Sequence, residues 1–202
     1  MAAVYSAAVT RANPLPAPSL PALWLVSDAR NDAGLERALA RLPRGSGLIY
    51  RHYHLADAER LARFRALRRL ARARGHIVIL AGSALTAQRW GADGIYGAPP
   101  ALWPRRAGLL HLATAHNLAE LGQAARLGAD AALLSPVHAT RSHPGGAVLG
   151  RVRFRLLARQ AALPVIALGG MNAARARTLR WARWAAIDGL ALGLSKGSSP
   201  RT

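Results

Sequence analysis

The sequence predicts an α/β protein folded as a single compact (β/α)8 TIM barrel. Three observations predict it. From Pro21 onward, short apolar runs alternate with longer amphipathic ones, the pattern of parallel strands joined by helical crossovers. Eight such runs fit within 202 residues, compact for a closed barrel, where roughly 250 residues are typical. The first run leads into Asp28-Ala-Arg-Asn-Asp32, not into the glycine-rich turn that an open dinucleotide-binding sheet would need.

Residues 1–21 precede the domain. They are rich in Ala, Pro and Ser, and Arg11 is their one charged side chain. With no continuous apolar stretch they do not read as a secretory signal, and a loosely ordered leader is expected, an organellar transit peptide being the alternative. The barrel is expected over 22–196, with a flexible tail at 197–202. Its first strand is Ala22–Ser27, followed by a helix over Ala33–Leu42. Strand Gly47–Arg51 precedes the long arginine-studded helix Ala56–Arg74. Strand His76–Leu80 and helix Ala84–Trp90 follow, then strand Gly94–Tyr96. The Pro-rich Ala98–Arg106 has room only for a short turn. Strand Gly108–Ala113, helix Asn117–Leu127, strand Ala131–Ser135 and helix Arg151–Gln160 continue the alternation. Strand Val165–Leu168, helix Ala173–Ala182 and an eighth strand over Gly189–Leu192 complete it.

Gly-Ala-Asp occurs at Gly91–Asp93 and Gly128–Asp130, with Ala186-Ile-Asp-Gly189 as a looser third copy. Each falls where a helix is expected to end and a strand to begin. Glycine can close a helix in the left-handed conformation, so these read as connectors at the bottom of the barrel.

Composition narrows the chemistry. There is no cysteine, which removes disulfides, thiolate catalysis and Cys-ligated metals and suits a cytoplasmic location. No apolar run reaches the roughly 20 residues of a membrane span. Lys+Arg outnumber Asp+Glu by 28 to 9, a net charge of +19. Such a field can draw in nucleic acid or small anions. No nucleic-acid-binding motif accompanies it, so small anionic substrates are the expected partners and the arginines are expected on solvated helix faces. A homo-oligomer is compatible with the sequence.

In a barrel, function belongs to the loops after the strands. Leu163-Pro-Val-Ile-Ala-Leu-Gly-Gly-Met-Asn172 runs an apolar strand into paired glycines, with Asn172 placed to cap the next helix. Gly169 and Gly170 let a ligand approach the backbone, and exposed amides near a helix start favour anions. A tight turn without a ligand is the alternative. Gly193 and Ser195 can complete a phosphate cup, with Lys196 either a counter-charge or part of the tail. The loop Ser135-Pro-Val-His-Ala-Thr-Arg-Ser-His-Pro-Gly-Gly146 gathers Thr140, Arg141 and Ser142 for anions with His138 and His143 for proton transfer. It equally suits a polar surface loop. Two histidines with no carboxylate nearby make an incomplete metal site. Arg51, flanked by His52, Tyr53 and His54, ends the second strand and can point into the mouth. Thr114 and His116 follow the fifth strand and either line the mouth or lead into a helix.

These pieces, in this order, resemble thiamine phosphate synthase and the related TenI-type thiazole tautomerases. The similarity spans roughly Leu23 to Leu194. It is strongest at His116-Asn-Leu-Ala-Glu-Leu, Leu127-Gly-Ala-Asp130, Ser135-Pro-Val-His-Ala-Thr and Pro164-Val-Ile-Ala-Leu-Gly-Gly-Met. The resemblance implies an enzyme of thiamine biosynthesis that joins hydroxymethylpyrimidine diphosphate to thiazole phosphate and releases pyrophosphate. By position, it implies that Arg51 holds pyrophosphate and that Thr114 stands for a serine before the histidine. Thr140 and Ser142 stand for the hydroxyls of a Thr-x-Thr-Lys loop whose lysine is replaced by His143. Gly169 and Gly170 hold the thiazole phosphate, completed near Gly193. It also implies magnesium, yet the carboxylate positions carry Ala81, Gly82 and Ala101, and strand two carries Ile49, Arg51 and Tyr53 in place of Gln-x-Arg-x-Lys. A thiazole phosphate tautomerase is the first alternative; its histidine falls at Pro136, with His138 two residues on. A non-catalytic barrel binding thiazole phosphate or thiamine phosphate is the second.

Overall fold

The computed structural model describes residues 20–140 and 147–191. The leader before residue 20 and the tail lie outside the described residues, as do Arg141, Ser142, His143, Gly193, Ser195 and Lys196. Eight parallel strands close into a barrel in chain order: β1 (Leu23–Val26), β2 (Gly47–Tyr50), β3 (Ile77–Leu80), β4 (Gly94–Gly97), β5 (Leu110–Ala115), β6 (Ala131–Leu134), β7 (Val165–Ala167) and β8 (Trp184–Ala186). Closure is made by β8 on β1, with Leu23 paired to Trp184 and Leu25 to Ala186. The expected fold class is the observed one.

The strands read as unbroken apolar runs because both of their faces are buried. Alternate residues serve different cores. Trp24, Val26, Ile49, Ile79, Leu112, Leu133, Ile166 and Ala185 point inward and fill the lumen. Leu25, Leu48, Tyr50, Val78, Leu80, Ala113, Leu134 and Ala167 point outward against the helices. The outer layer consists of α1 (Leu35–Arg41), α2 (Asp57–Ala73), α3 (Ala84–Trp90), α4 (Leu118–Arg126), α5 (Gly150–Gln160), α6 (Ala173–Leu179) and the short α7 (Asp188–Ala191). Two 3-10 turns, Ala29–Gly34 and Pro99–Leu102, occupy the stretches after β1 and β4. The Pro-rich segment thus holds the short turn its composition predicts.

Trp24 plugs the lumen near its N-terminal end. It is fully buried, and its indole N–H donates to the Pro21 carbonyl at 2.8 Å. On the neighbouring strand Gly47 leaves room for that ring, since a Cβ there would overlap it.

The first two Gly-Ala-Asp copies behave as connectors. Gly91 and Gly128 are left-handed, at φ 72° and 73°, just past α3 and α4. The aspartates then stitch the bottom of the barrel: Asp93 accepts the Val78 amide and Asp130 the His111 amide, each at 2.8 Å. The third copy does not follow this pattern. Ala186 ends β8, and Asp188 and Gly189 open α7. The eighth strand therefore lies at Trp184–Ala186, earlier than the expected Gly189–Leu192. α6 stops at Leu179, where Arg180 turns left-handed at φ 51°. The chain re-enters the sheet at once, so the last apolar run falls beyond the strand, beside the mouth.

Candidate anion site at the barrel mouth

A cavity of about 810 Å³ opens at the C-terminal ends of the strands. Arg51, Thr114, Thr140, Gly169 and Gly170 all line it. Five positions from four separate stretches of sequence, after or on β2, β5, β6 and β7, thus share one cavity.

The glycine turn is shaped by the loop after β6. Val137 N–H donates to the Leu168 carbonyl at 2.9 Å and His138 N–H to the Gly169 carbonyl at 3.1 Å. The two loops are zipped by these bonds, and side chains have no room between them. A Cβ on Gly169 would stand 2.6 Å from Pro136 Cα, and one on Gly170 would stand 2.5 Å from the Ala139 carbonyl oxygen. With their carbonyls engaged, the amides are the backbone groups of this turn left to meet a ligand. Among the described residues no protein acceptor receives the amides of Gly169, Gly170 or Met171. Asn172 caps α6 by accepting the Arg175 amide at 2.9 Å. The Arg175 guanidinium returns to the Gly170 carbonyl and lines the cavity. Free amides, a left-handed turn at φ 96° and 60°, and an adjacent guanidinium make a cradle suited to a phosphoryl group.

Arg51 supplies charge on another wall. Its backbone is fixed from both sides: its amide donates to Ser27 Oγ at 2.8 Å, and its carbonyl accepts Arg60 Nη2 at 2.8 Å. Ser27 and His52 are buried, with Ser27 Oγ 2.7 Å from His52 Nδ1. His52 Nε2 lies 2.8 Å from Asp32 Oδ1, and Arg63 Nε holds the same carboxylate oxygen at 2.7 Å. Burial lowers the pKa of His52, outweighing the hydrogen bond to Asp32 that works to raise it. Neutral His52 then carries its proton on Nε2 toward Asp32 and accepts the Ser27 hydroxyl at Nδ1. Tyr50 stacks on the ring at 4.7 Å, and the His52 backbone stands at φ 34°. This chain anchors the peptide that carries Arg51, whose guanidinium lies 5.8 Å from the Tyr53 ring centre and 4.0 Å from Asp28.

Other lining residues were not singled out from sequence. Tyr96 is buried in the lumen, and desolvation pushes its phenol up to about 12, so it stays protonated as a donor. Ser135, Arg175 and Asp188 also face the cavity. The signal for Tyr96 and Ser135 is present in the sequence, since both end or follow strands. Arg175 carries none, being one of two arginines in α6.

Two histidines separate. His116 lines the cavity and pairs with Glu120 Oε2 at 2.9 Å. His138 does not line it; its Nε2 is buried without a hydrogen-bond partner. Burial, then the charge of Arg175, lowers its pKa. His138, expected as a proton carrier, is thus absent from the residues that line the cavity. His143, with Arg141, Ser142 and Gly193, lies outside the described residues.

The magnesium implied by the resemblance does not fit this donor set. Ala81 is in the wall of the lumen, Gly82 follows β3 and Ala101 lies in the second 3-10 turn. Among the described residues no three His, Asp or Glu side chains gather as a metal site would require. Nor, among them, is any helix long and apolar enough to cross a membrane.

Comparison with known proteins matches residues 23–192 to the family described as thiamine monophosphate synthase. A thiamine-phosphate synthase from Chloroflexus aurantiacus is 32% identical over 180 residues, spanning 84% of this chain and 82% of the relative. Among solved structures, a thiamine phosphate pyrophosphorylase from Pyrococcus furiosus superposes with a TM-score of 0.68 at 23% identity, over 82% of this chain and 85% of that one. One from Bacteroides thetaiotaomicron gives 0.55 at 13% identity, over 82% and 81%. At those identities the structural likeness is one of fold.

Proposed function

The chain belongs to the thiamine monophosphate synthase family, and from that premise we propose that it is a thiamine phosphate synthase-like transferase acting at the barrel mouth. The observation that carries this reading is the convergence of Arg51, Thr114, Thr140, Gly169 and Gly170 on one cavity. Its substrates are then thiazole phosphate and hydroxymethylpyrimidine diphosphate. The Gly169–Met171 amides and Arg175 hold the thiazole phosphate; Arg51 meets the diphosphate, and Tyr96, Thr114 and Ser135 offer hydroxyls for orientation. In the transfer the thiazole nitrogen forms a bond to the pyrimidine methylene carbon. The carbon–oxygen bond to the diphosphate breaks, and pyrophosphate leaves with the electron pair. The work of the protein is to hold nucleophile and carbon in line and to stabilise charge on the leaving group. Arg141, His143 and an amide near Gly193 would add to these groups.

Purified protein given both substrates, with and without magnesium, tests the reading. Thiamine phosphate is the expected product, and its absence under both conditions refutes a synthase. A tautomerase acting on the thiazole phosphate is the second reading, favoured by the presence of His116 in the cavity wall; there His116→Ala abolishes turnover and His138→Ala spares it. Binding of thiazole phosphate with no turnover in either assay would mark a non-catalytic barrel.

A further inference from the structure

Resting on that anion-binding role, we infer that the cavity meets the diphosphate of its ligand through arginine alone, with no divalent cation bridging ligand and protein. The support is a complete account of the carboxylates. The chain has nine Asp and Glu, and none falls in the segments outside the described residues. Asp93 and Asp130 are at the opposite pole, bound to strand amides. Asp32 and Glu36 are held by Arg63, and Glu120 is held by His116 and Asn117. Asp57 and Glu59 are exposed in the first turn of α2. Only Asp28 and Asp188 remain near the mouth, and of these only Asp188 lines the cavity.

A guanidinium already occupies the space where those two could share a cation. Arg30 Nε sits 2.8 Å from Asp28 and its Nη1 3.8 Å from Asp188, while Arg51 Nη2 stands 4.0 Å from the other Asp28 oxygen. β1 and β8, which the two aspartates follow by two residues each, are neighbours in the barrel. Arg30 therefore spans adjacent strand ends as a covalently attached counter-ion. A hydrated dication would find both carboxylates neutralised and two positive charges beside it. A ligand diphosphate finds the reverse in Arg51, which lines the cavity with a guanidinium that matches phosphoryl oxygens in geometry and charge.

Titration calorimetry of the full chain with inorganic pyrophosphate, in chelator and then in saturating magnesium, tests this. The expected result is binding in chelator that magnesium leaves unchanged or weakens, and that Arg51→Ala lowers about tenfold or more while far-ultraviolet circular dichroism stays the same. Binding seen only with magnesium, tightening of about tenfold or more on adding it, or no pyrophosphate binding at all overturns the inference. Thiazole phosphate titrated in parallel keeps the two ideas apart. Its failure to bind removes the proposed function; its binding beside magnesium-dependent pyrophosphate binding removes only this inference.

Discussion

Gly169 sits at φ 96° with Pro136 Cα 2.6 Å from where a Cβ would be. Gly169→Ala therefore has to strain its backbone or push the β6 loop aside. We expect a loss of about 1–3 kcal/mol in stability, read by denaturant unfolding, and at least tenfold weaker binding of thiazole phosphate. An equal loss of stability with unchanged binding would leave the glycine a packing role only. The buried histidines make a second residue-scale prediction. Burial depresses His52, His76 and His111 below their ordinary value of 6.5. The unfolded chain then binds more protons than the folded one as pH falls below about 6.5. Stability should be full above that pH and fall as acid is added down through the lowered folded values, as a declining melting temperature in a pH series. A flat profile between pH 7 and 5 would contradict it. At this scale the sequence carries Arg51, Thr114 and the paired glycines, each at a strand end. It does not carry Arg175, which only its return to the Gly170 carbonyl separates from Arg177 or Arg180.

Among the elements, the Gly-Ala-Asp connectors give the cleanest separation of stability from binding. Asp130 accepts the His111 amide and an ion pair from Arg105 at 2.9 Å, far from the mouth. Asp130→Ala should lower stability by about 1–3 kcal/mol through the orphaned amide, measured by urea unfolding, and leave affinity for phosphorylated ligands within twofold. Seven of the eight strands stand where alternation places them, because an element buried on both faces needs an apolar run of strand length. The eighth does not. β8 is three residues long and includes Trp184, while the apolar run after it supplies α7. Short apolar segments carry no period that tells strand from helix. The site lost most by that shift, since the residues after β8 set one side of the mouth.

For the molecule as a whole, the net charge of +19 is spread over 27 arginines and one lysine. Long-range attraction of this kind is screened within about 10 Å at 0.1 M salt. Association of anionic ligands should slow as salt rises from 20 to 300 mM, roughly tenfold in stopped-flow measurements, whereas dissociation should change far less. A rate constant for association that ignores salt would mean that the field does not reach the mouth. Closure of the barrel itself is plain in the alternation of elements, but which loops meet is not. Residues 51 and 169 are brought to one cavity only by the strand order that joins β8 to β1.

Because Trp24 stoppers the far pole, a ligand meets the described part of this barrel from the mouth. Two phosphorylated compounds that need the same glycine amides should therefore compete for them, each slowing the arrival of the other.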